Sequence, residues 1–331
     1  MKKHYLVNPV AGRGRRAVEI IERIKAECEK NSDLSIYITK SSSDAERYCR
    51  EISELPGEHR FIVCGGDGTI GEALNGIAGH DNASLAVIPI GTGNDFVRNF
   101  CTKDGDEETF FDLDAQSDGE EVCLDYLEVT VNGEKKKLSV NMLNTGFDCE
   151  VADKVNEMRS NKLIPPKFAY IAALVQKFAL KPTVKAEITV DGEIFEMGER
   201  MLVAAGNGSF CGGGFKAAPI ASLTDGLIDL CIVRNIKRTD FLKLVGPYKA
   251  GTHLDNEKIA GFFDYRQCKY VKIVFDAPRK VVFDGETDVC EFLEIRNVQK
   301  GVRFVIPKGL DISRFAEASE EKEEEKEALT V

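Results

Sequence analysis

Apolar and polar positions along this chain change their rhythm once, near residue 120. Before that point, short apolar runs alternate with stretches of helical periodicity. YLVN at 5–8 predicts a strand, and PVAGRG at 9–14 predicts a loop. Residues 15–31 predict an amphipathic helix with Val18, Ile21 and Ile24 on one face. LSIYIT at 34–39 predicts the second strand. Ser43 and Glu46 have the spacing of a capping box, opening a helix that runs to about Ile52. FIVC at 61–64, a helix from Thr69, SLAVIPI at 84–90 and a helix at 95–100 complete a βαβ series. Such a series predicts a parallel sheet with helices on both faces.

Beyond residue 120, segments such as CLDYLEVTVNG, VKAEITVDGEIFE, KYVKIVFD and EFLEIRN alternate apolar and polar residues between turn signals. This period of two predicts antiparallel sheets arranged as a sandwich. Two helical insertions are expected, at 165–180 and 239–250.

Composition narrows the class. Ten cysteines are scattered with no C-x-x-C pair, and four histidines are isolated. That pattern suits reduced thiols in a cytosolic chain and gives little support to a zinc site or a histidine-based triad. The start MKKHYLVNP enters a strand directly, without a secretory leader pattern. The most apolar stretch, FAYIAALVQKFAL at 168–180, is too short to span a bilayer. The formal net charge is −11, and seven Glu and two Lys in residues 317–331 supply −5 of it. No nucleic-acid partner is expected from this balance, and the acidic tail reads as solvated or disordered.

The stretch FIVCGGDGTIGEALNG at 61–76 carries the first chemistry. Gly65, Gly66 and Gly68 let the backbone turn sharply and let a ligand approach main-chain N–H groups. Thr69 and Glu72 are spaced as a second capping box. A glycine loop feeding a helix suits phosphate. Asp67 would repel phosphate unless a cation lay between them, which suggests a Mg²⁺-nucleotide site. A tight turn with a solvated Asp is the plainer alternative at this point. NPVAGRG and GTGN add two further glycine-bearing strand ends, and ligands of open α/β sheets bind at carboxyl strand ends.

Taken with NPVAGRG, GGDGT and IPIGTGNDF, the segments NTGFDCEV, GNGSFCGGGFKAAP, LTDGLIDL and VVFDGETDV resemble the diacylglycerol kinase family of soluble bacterial lipid kinases, which includes sphingosine-kinase-like catalytic domains. The resemblance runs from Asn8 to about Pro307. It implies an N-terminal Rossmann-like, phosphofructokinase-like parallel-sheet domain at 1–120 and a C-terminal antiparallel β-sandwich lipid-substrate domain at 121–304. Residues 305–316 are expected to return to the first domain.

The resemblance further implies site residues. ATP would be held by Asn8, Pro9 and Gly12, by Thr39, by Gly65, Gly66, Asp67, Gly68, Thr69 and Glu72, and by Thr92 and Asn94. Asp67 would order Mg²⁺ at the phosphates. D-G-E occurs three times, at 118–120, 191–193 and 284–286. The first two read as solvent-facing turns. The late one matches the family's catalytic position, making Glu286 the general base with Asp284 in support. Asp125 would join the Asp67 network or stand as a polar residue of an edge strand. Ser222, Asp225 and Leu227 match a structural cation site, against an ordinary type I′ turn at Asp225–Gly226.

One departure is visible: Gly71 stands where many relatives carry Asn. The helix-like segment 167–181, flanked by Lys162, Lys167, Lys177 and Lys181, would either pack on a sheet or meet an anionic membrane surface. The expected function is transfer of the γ-phosphoryl group of Mg-ATP to the hydroxyl of diacylglycerol or a related lipid, by a cytoplasmic enzyme peripheral to the inner face of the membrane. Homodimer formation is left open. The alternatives are a kinase of a soluble acceptor, NAD or a sugar phosphate, and a non-catalytic nucleotide- or lipid-binding protein.

Overall fold

The computed structural model describes residues 1–147, 149–151, 154, 183–313 and 315. The expected insertion at 165–180, its flanking lysines and the acidic tail lie outside the described residues. The chain forms two compact units. The first holds residues 1–126, 223–226 and 298 onward; the second holds 127–222 and 227–297.

In the first unit, β1 (Lys2–Val7) pairs in parallel with β2 (Leu34–Ile38) and with β3 (His59–Gly65). β4 (Ala83–Pro89) extends the parallel set beyond β3. Every residue of β3 and β4 is buried, as strands covered on both faces require. α1 (Arg15–Cys28), α2 (Asp44–Ser53) and α3 (Asp67–Ile77) follow the first three strands. Short helices α4 (Asp95–Arg98), α5 (Asp106–Thr109) and α6 (Leu113–Ser117) complete the run. Ala17, Ile20 and Ile24 of α1 pack with Tyr5, Val7, Ile62 and Ile88 in one core. The buried stripe therefore runs through 17, 20 and 24, and Val18 is 60% exposed. Ile24 and the half-buried Ile21 of the expected face do pack on this core, and only Val18 turns to solvent, with Ala17 and Ile20 completing the buried stripe.

Both expected capping boxes fail. Ser43 is the N-cap residue of α2 but makes no side-chain cap bond, and Glu46 reaches Arg50 instead. α3 starts at Asp67, with Gly66 as its N-cap residue, two residues before Thr69. Glu72 Oε2 accepts from the Ala45 amide at 3.2 Å, so this side chain caps the neighbouring helix. Gly76 makes that pairing close, since a Cβ there would lie 2.5 Å from the Glu46 carbonyl oxygen.

On the adjacent interior strands β1 and β3 of the same sheet, His4 Nε2 and His59 Nδ1 lie 3.0 Å apart, and His4 stacks on Phe61. Burial, helped by His59 and Lys2, lowers His4 from 6.5 to about 4. The unfolded chain binds that proton at higher pH than the folded one, so stability is complete above pH 6.5 and declines as pH falls towards 4. Urea unfolding at pH 7 and pH 5 should show the loss. It is expected to be on the order of 1 kcal/mol once solvent screening is allowed for, and smaller in His4→Asn. An unchanged pH slope in that variant would remove His4 as the cause.

The second unit is antiparallel in every pairing among its described residues. Its strands are β6 (Lys135–Ser139), β7 (Met142–Gly146), β8 (Val184–Val190), β9 (Glu193–Gly206), β10 (Ile228–Arg234), β11 (Phe263–Cys268) and β12 (Tyr270–Phe283). β5 (Glu120–Val131) and β13 (Glu286–Ile306) contribute residues to both units. α7 (Arg238–Ala250) buries Phe241, Leu244 and Tyr248 against Met201, Leu202 and Ala204.

Three hairpins of this unit turn on Asn132–Gly133, Asp191–Gly192 and Asp284–Gly285, with φ positive at both positions, the type I′ signature. The side chain at the first position of each turn accepts neighbouring main-chain N–H groups. Asp191–Gly192 is thus the hairpin turn its sequence predicts. The 118–120 tripeptide is solvent-facing as expected, with Asp118 and Glu120 exposed; it joins α6 to β5, and only Gly119 is tucked in, since a Cβ there would lie 2.4 Å from the Ile306 carbonyl oxygen.

Candidate active site

Three turns of the first unit converge, and glycine is what permits it. After β1, Asn8 donates from Nδ2 to Thr69 Oγ1 at 3.0 Å, tying the first turn to the second. Its Oδ1 accepts from the Val10 amide at 3.1 Å. Gly12, at φ +56°, lies so near the third turn that a Cβ would stand 2.1 Å from the Ile90 carbonyl oxygen. The second and third turns touch through their glycines: a Cβ on Gly91 would stand 2.5 Å from the Gly66 Cα. The Gly65 carbonyl accepts from the amides of Ile90 and Gly91, at 3.0 and 3.1 Å. Side chains at these positions would wedge the turns apart.

Asp67 opens α3 inside this cluster. Its Oδ1 accepts from the Phe96 amide at 3.0 Å, at the start of α4. Burial pushes the Asp67 carboxyl above the usual carboxylate range, against the opposing pull of the main-chain N–H groups of Phe96, Asp95 and Asn94. A nearby cation would favour the ionised form, so this carboxylate fits a Mg²⁺-bound phosphate better than it fits a solvated turn. A Cβ on Gly93 would stand 2.9 Å from Asp67 Oδ2, so the third turn also approaches the carboxylate closely.

Asn94 holds a left-handed backbone at φ 55° and donates from Nδ2 to the Pro89 carbonyl at 3.1 Å. Its buried Oδ1 has no hydrogen-bond partner among the described residues. Thr92 is exposed beside it, and Pro9 and Gly68 are half-buried. Thr39 is buried just past β2, with its amide on the Val7 carbonyl at 3.0 Å. Gly71 is covered by its own helix: Asn75 Nδ2 donates to the Gly71 carbonyl at 2.7 Å.

In the second unit, Asp284 and Gly285 form the turn between β12 and β13, and the half-buried Glu286 is the first residue beyond it, paired with Phe283. The Asp284 carboxylate accepts from Ser139 Oγ at 2.9 Å and from the amides of Val140, Asn141 and Met142 at 2.8, 3.2 and 2.9 Å. Its own amide donates to the Met142 carbonyl at 3.1 Å. Sequence reading placed Asp284 beside Glu286 but gave no sign that residues 139–142 hold it.

Residues 2–128 match the model of the diacylglycerol kinase catalytic domain, and residues 141–296 match that of the YegS C-terminal NAD kinase beta sandwich-like domain. The chain belongs to the diacylglycerol kinase family. A diacylglycerol kinase of Bacillus subtilis is 26% identical over 93% of this chain and 97% of its own length. One from Mycobacterium tuberculosis is 29% identical over 77% of this chain and 80% of its own. A solved diacylglycerol kinase structure from Bacillus anthracis shares the fold, with a TM-score of 0.67 at 22% identity over 94% of this chain and 98% of that one. As a member of this lipid-kinase family, the chain is an enzyme.

Within this diacylglycerol kinase fold, Asp125 is not an edge-strand residue facing solvent. It is fully buried, and its carboxylate accepts from the amides of Gly226 and Lys300, each at 2.7 Å. Its own amide donates to the Leu223 carbonyl at 2.7 Å. Asp125 therefore fastens the 223–226 loop of the first unit. Asp225–Gly226 is not a type I′ turn, because φ is positive at Gly226 and not at Asp225. The Leu227 carbonyl accepts from Asn297 Nδ2 at 2.9 Å. Among the described residues, no cluster of three or more His, Cys, Asp or Glu side chains could hold a metal ion by itself.

Proposed function

We propose that this enzyme transfers the γ-phosphoryl group of Mg-ATP to the hydroxyl of diacylglycerol or a closely related lipid, giving phosphatidic acid or its analogue. The observation that supports this best is the mutual approach of the three glycine turns around Asp67. It leaves bare main chain where phosphate oxygens need donors. The first domain would then act as a Rossmann-like nucleotide domain.

Phosphoryl transfer asks a protein for position, charge neutralisation and a proton acceptor. Main-chain N–H groups of the three turns other than those given to protein acceptors, as the amides of Val10, Ala11 and Gly91 are, bind and orient the phosphates, with Thr39 contributing at the edge. Mg²⁺, when bound, neutralises charge developing on the β- and γ-phosphates, and Asp67 would hold it or its water. Glu286 removes the proton from the lipid hydroxyl as that oxygen bonds to the γ-phosphorus. The bond from the γ-phosphorus to the bridging oxygen breaks, and ADP leaves. Asp284 keeps the hairpin that carries Glu286 in place. Ser222, Asp225 and Leu227 are kept as a proposed cation ligand set.

Among the described residues, no helix is long and apolar enough to cross a membrane. A lipid acceptor would be met at a bilayer surface. Purified protein should convert radiolabelled ATP and diacylglycerol in mixed micelles to labelled phosphatidic acid. It should label neither NAD nor a sugar-phosphate panel. Label on a soluble acceptor alone would overturn the lipid reading. In Asp67→Asn, half-maximal activity should require roughly tenfold more Mg²⁺, and an unchanged Mg²⁺ requirement would remove Asp67 from the metal's surroundings.

A further inference from the structure

Two amide side chains in the second unit have no place in the scheme above. Asn207 is fully buried, in the loop after β9, and Asn297 is half-buried on β13. Placing amides inside a sheet core costs free energy unless their hydrogen bonds are made, and apolar residues would fill the space at lower cost. Their partners suggest why they are there.

Asn297 Nδ2 donates to the Leu227 carbonyl at 2.9 Å and to Asn207 Oδ1 at 3.2 Å. Asn207 Nδ2 donates to the Val140 carbonyl at 2.8 Å. The Val140 amide donates to Asp284 Oδ2 at 2.8 Å. Asp284 begins the turn that delivers Glu286. A second strand of contacts supports the first. The amides of Asn207 and Gly208 both donate to the Asn141 carbonyl at 2.8 Å, and Asn141 Nδ2 donates to the Phe210 carbonyl at 2.7 Å. Residues 139–142, which grip Asp284, are thus gripped in turn by Asn207, and Asn207 by Asn297. Each amide is oriented by its partners, since a carbonyl can only accept.

We propose that Asn207 and Asn297 are positioning residues for Glu286, acting through residues 139–142 and Asp284. The proposal rests on Glu286 being the proton acceptor. A carboxylate on a two-residue turn is steered by small shifts of that turn. A displacement of about 1 Å far from the chemistry is enough to lower a rate about 100-fold. ATP affinity has no share in this relay, because every residue of it belongs to the second unit.

The test compares wild type with Asn297→Ala, Asn207→Ala and Asp284→Asn, measuring kcat, KM for ATP and amide hydrogen exchange. Asn297→Ala should lower kcat about 10- to 100-fold with KM for ATP unchanged. Exchange should speed up at residues 139–142 and 284–286 above all others. Combined with Asp284→Asn, it should add little further loss, because both changes release the same turn. Multiplying losses, unchanged local exchange, or a uniform rise in exchange over the whole chain would each overturn the proposal. If Asn297→Ala proves unstable, Asn297→Ser removes the same donor with a smaller cavity and is read the same way. Exchange needs no turnover. A wild type that phosphorylates no lipid would defeat the kinase reading, while the exchange result would still decide whether the relay holds the turn.

Discussion

Glu286→Gln is expected to lower kcat for lipid phosphorylation about 100- to 10,000-fold, the range associated with losing a positioned general base. Gln is nearly isosteric with Glu, so the Asp284–Gly285 turn and its bonds to residues 139–142 should survive. The variant should unfold at the same temperature as wild type and bind ATP equally well, since the glycine turns that would hold the nucleotide lie in the other unit. Single-turnover assays with labelled ATP and micellar diacylglycerol measure the step directly. A loss smaller than about tenfold would fall short of any general-base role and point to another acceptor. Asp284→Asn makes the useful contrast. An amide at that position cannot accept from all four donors at its two terminal atoms, so activity should fall together with stability.

The two-rhythm pattern made the broad layout legible: parallel pairing through β1 to β4, antiparallel pairing among the strands of the second unit. The glycine turns were legible as well, because a phosphate loop and a close main-chain approach both demand residues without a Cβ. What escaped the sequence was partner choice. Thr69 and Glu72 have capping-box spacing, yet Glu72 finds the end of α2, a helix more than twenty residues upstream. Nothing local distinguishes those outcomes; the close α2–α3 packing allowed by Gly76 does.

Asp125 shows the same limit. In sequence it is one polar residue in a strand pattern, and in the fold it bonds to segments 101 and 175 residues further along the chain. Asp284 was singled out for its neighbour Glu286, but its four donors come from a strand end some 140 residues earlier. Spacing rules see residues a few positions apart. Carboxylates and amides inside a sheet take their partners from whatever segment the topology brings alongside.

Gly12→Ala should weaken ATP binding roughly 10- to 100-fold while leaving the rest of the first unit folded. The substitution has two effects. The backbone stands at φ +56°, where a non-glycine residue costs about 1–2 kcal/mol. The new methyl group would also lie 2.1 Å from the Ile90 carbonyl oxygen, a contact that only a backbone shift can relieve. That shift separates the first turn from the third and spoils the convergence on which phosphate binding depends. Strain shared by the free and the bound protein lowers stability and cancels in the affinity, so the loss of binding comes from the shift, for which about 1.4 kcal/mol is tenfold. Gly79→Ala separates the two effects. Gly79 also has positive φ, at +82°, but a Cβ there meets nothing within 4 Å. It should cost stability and leave ATP affinity unchanged. Equilibrium titration with ATP and thermal melts of both variants decide the matter. Equal ATP affinity in Gly12→Ala and wild type would mean that the turns around Asp67 do not bind the nucleotide, and the proposed reaction would lose its site.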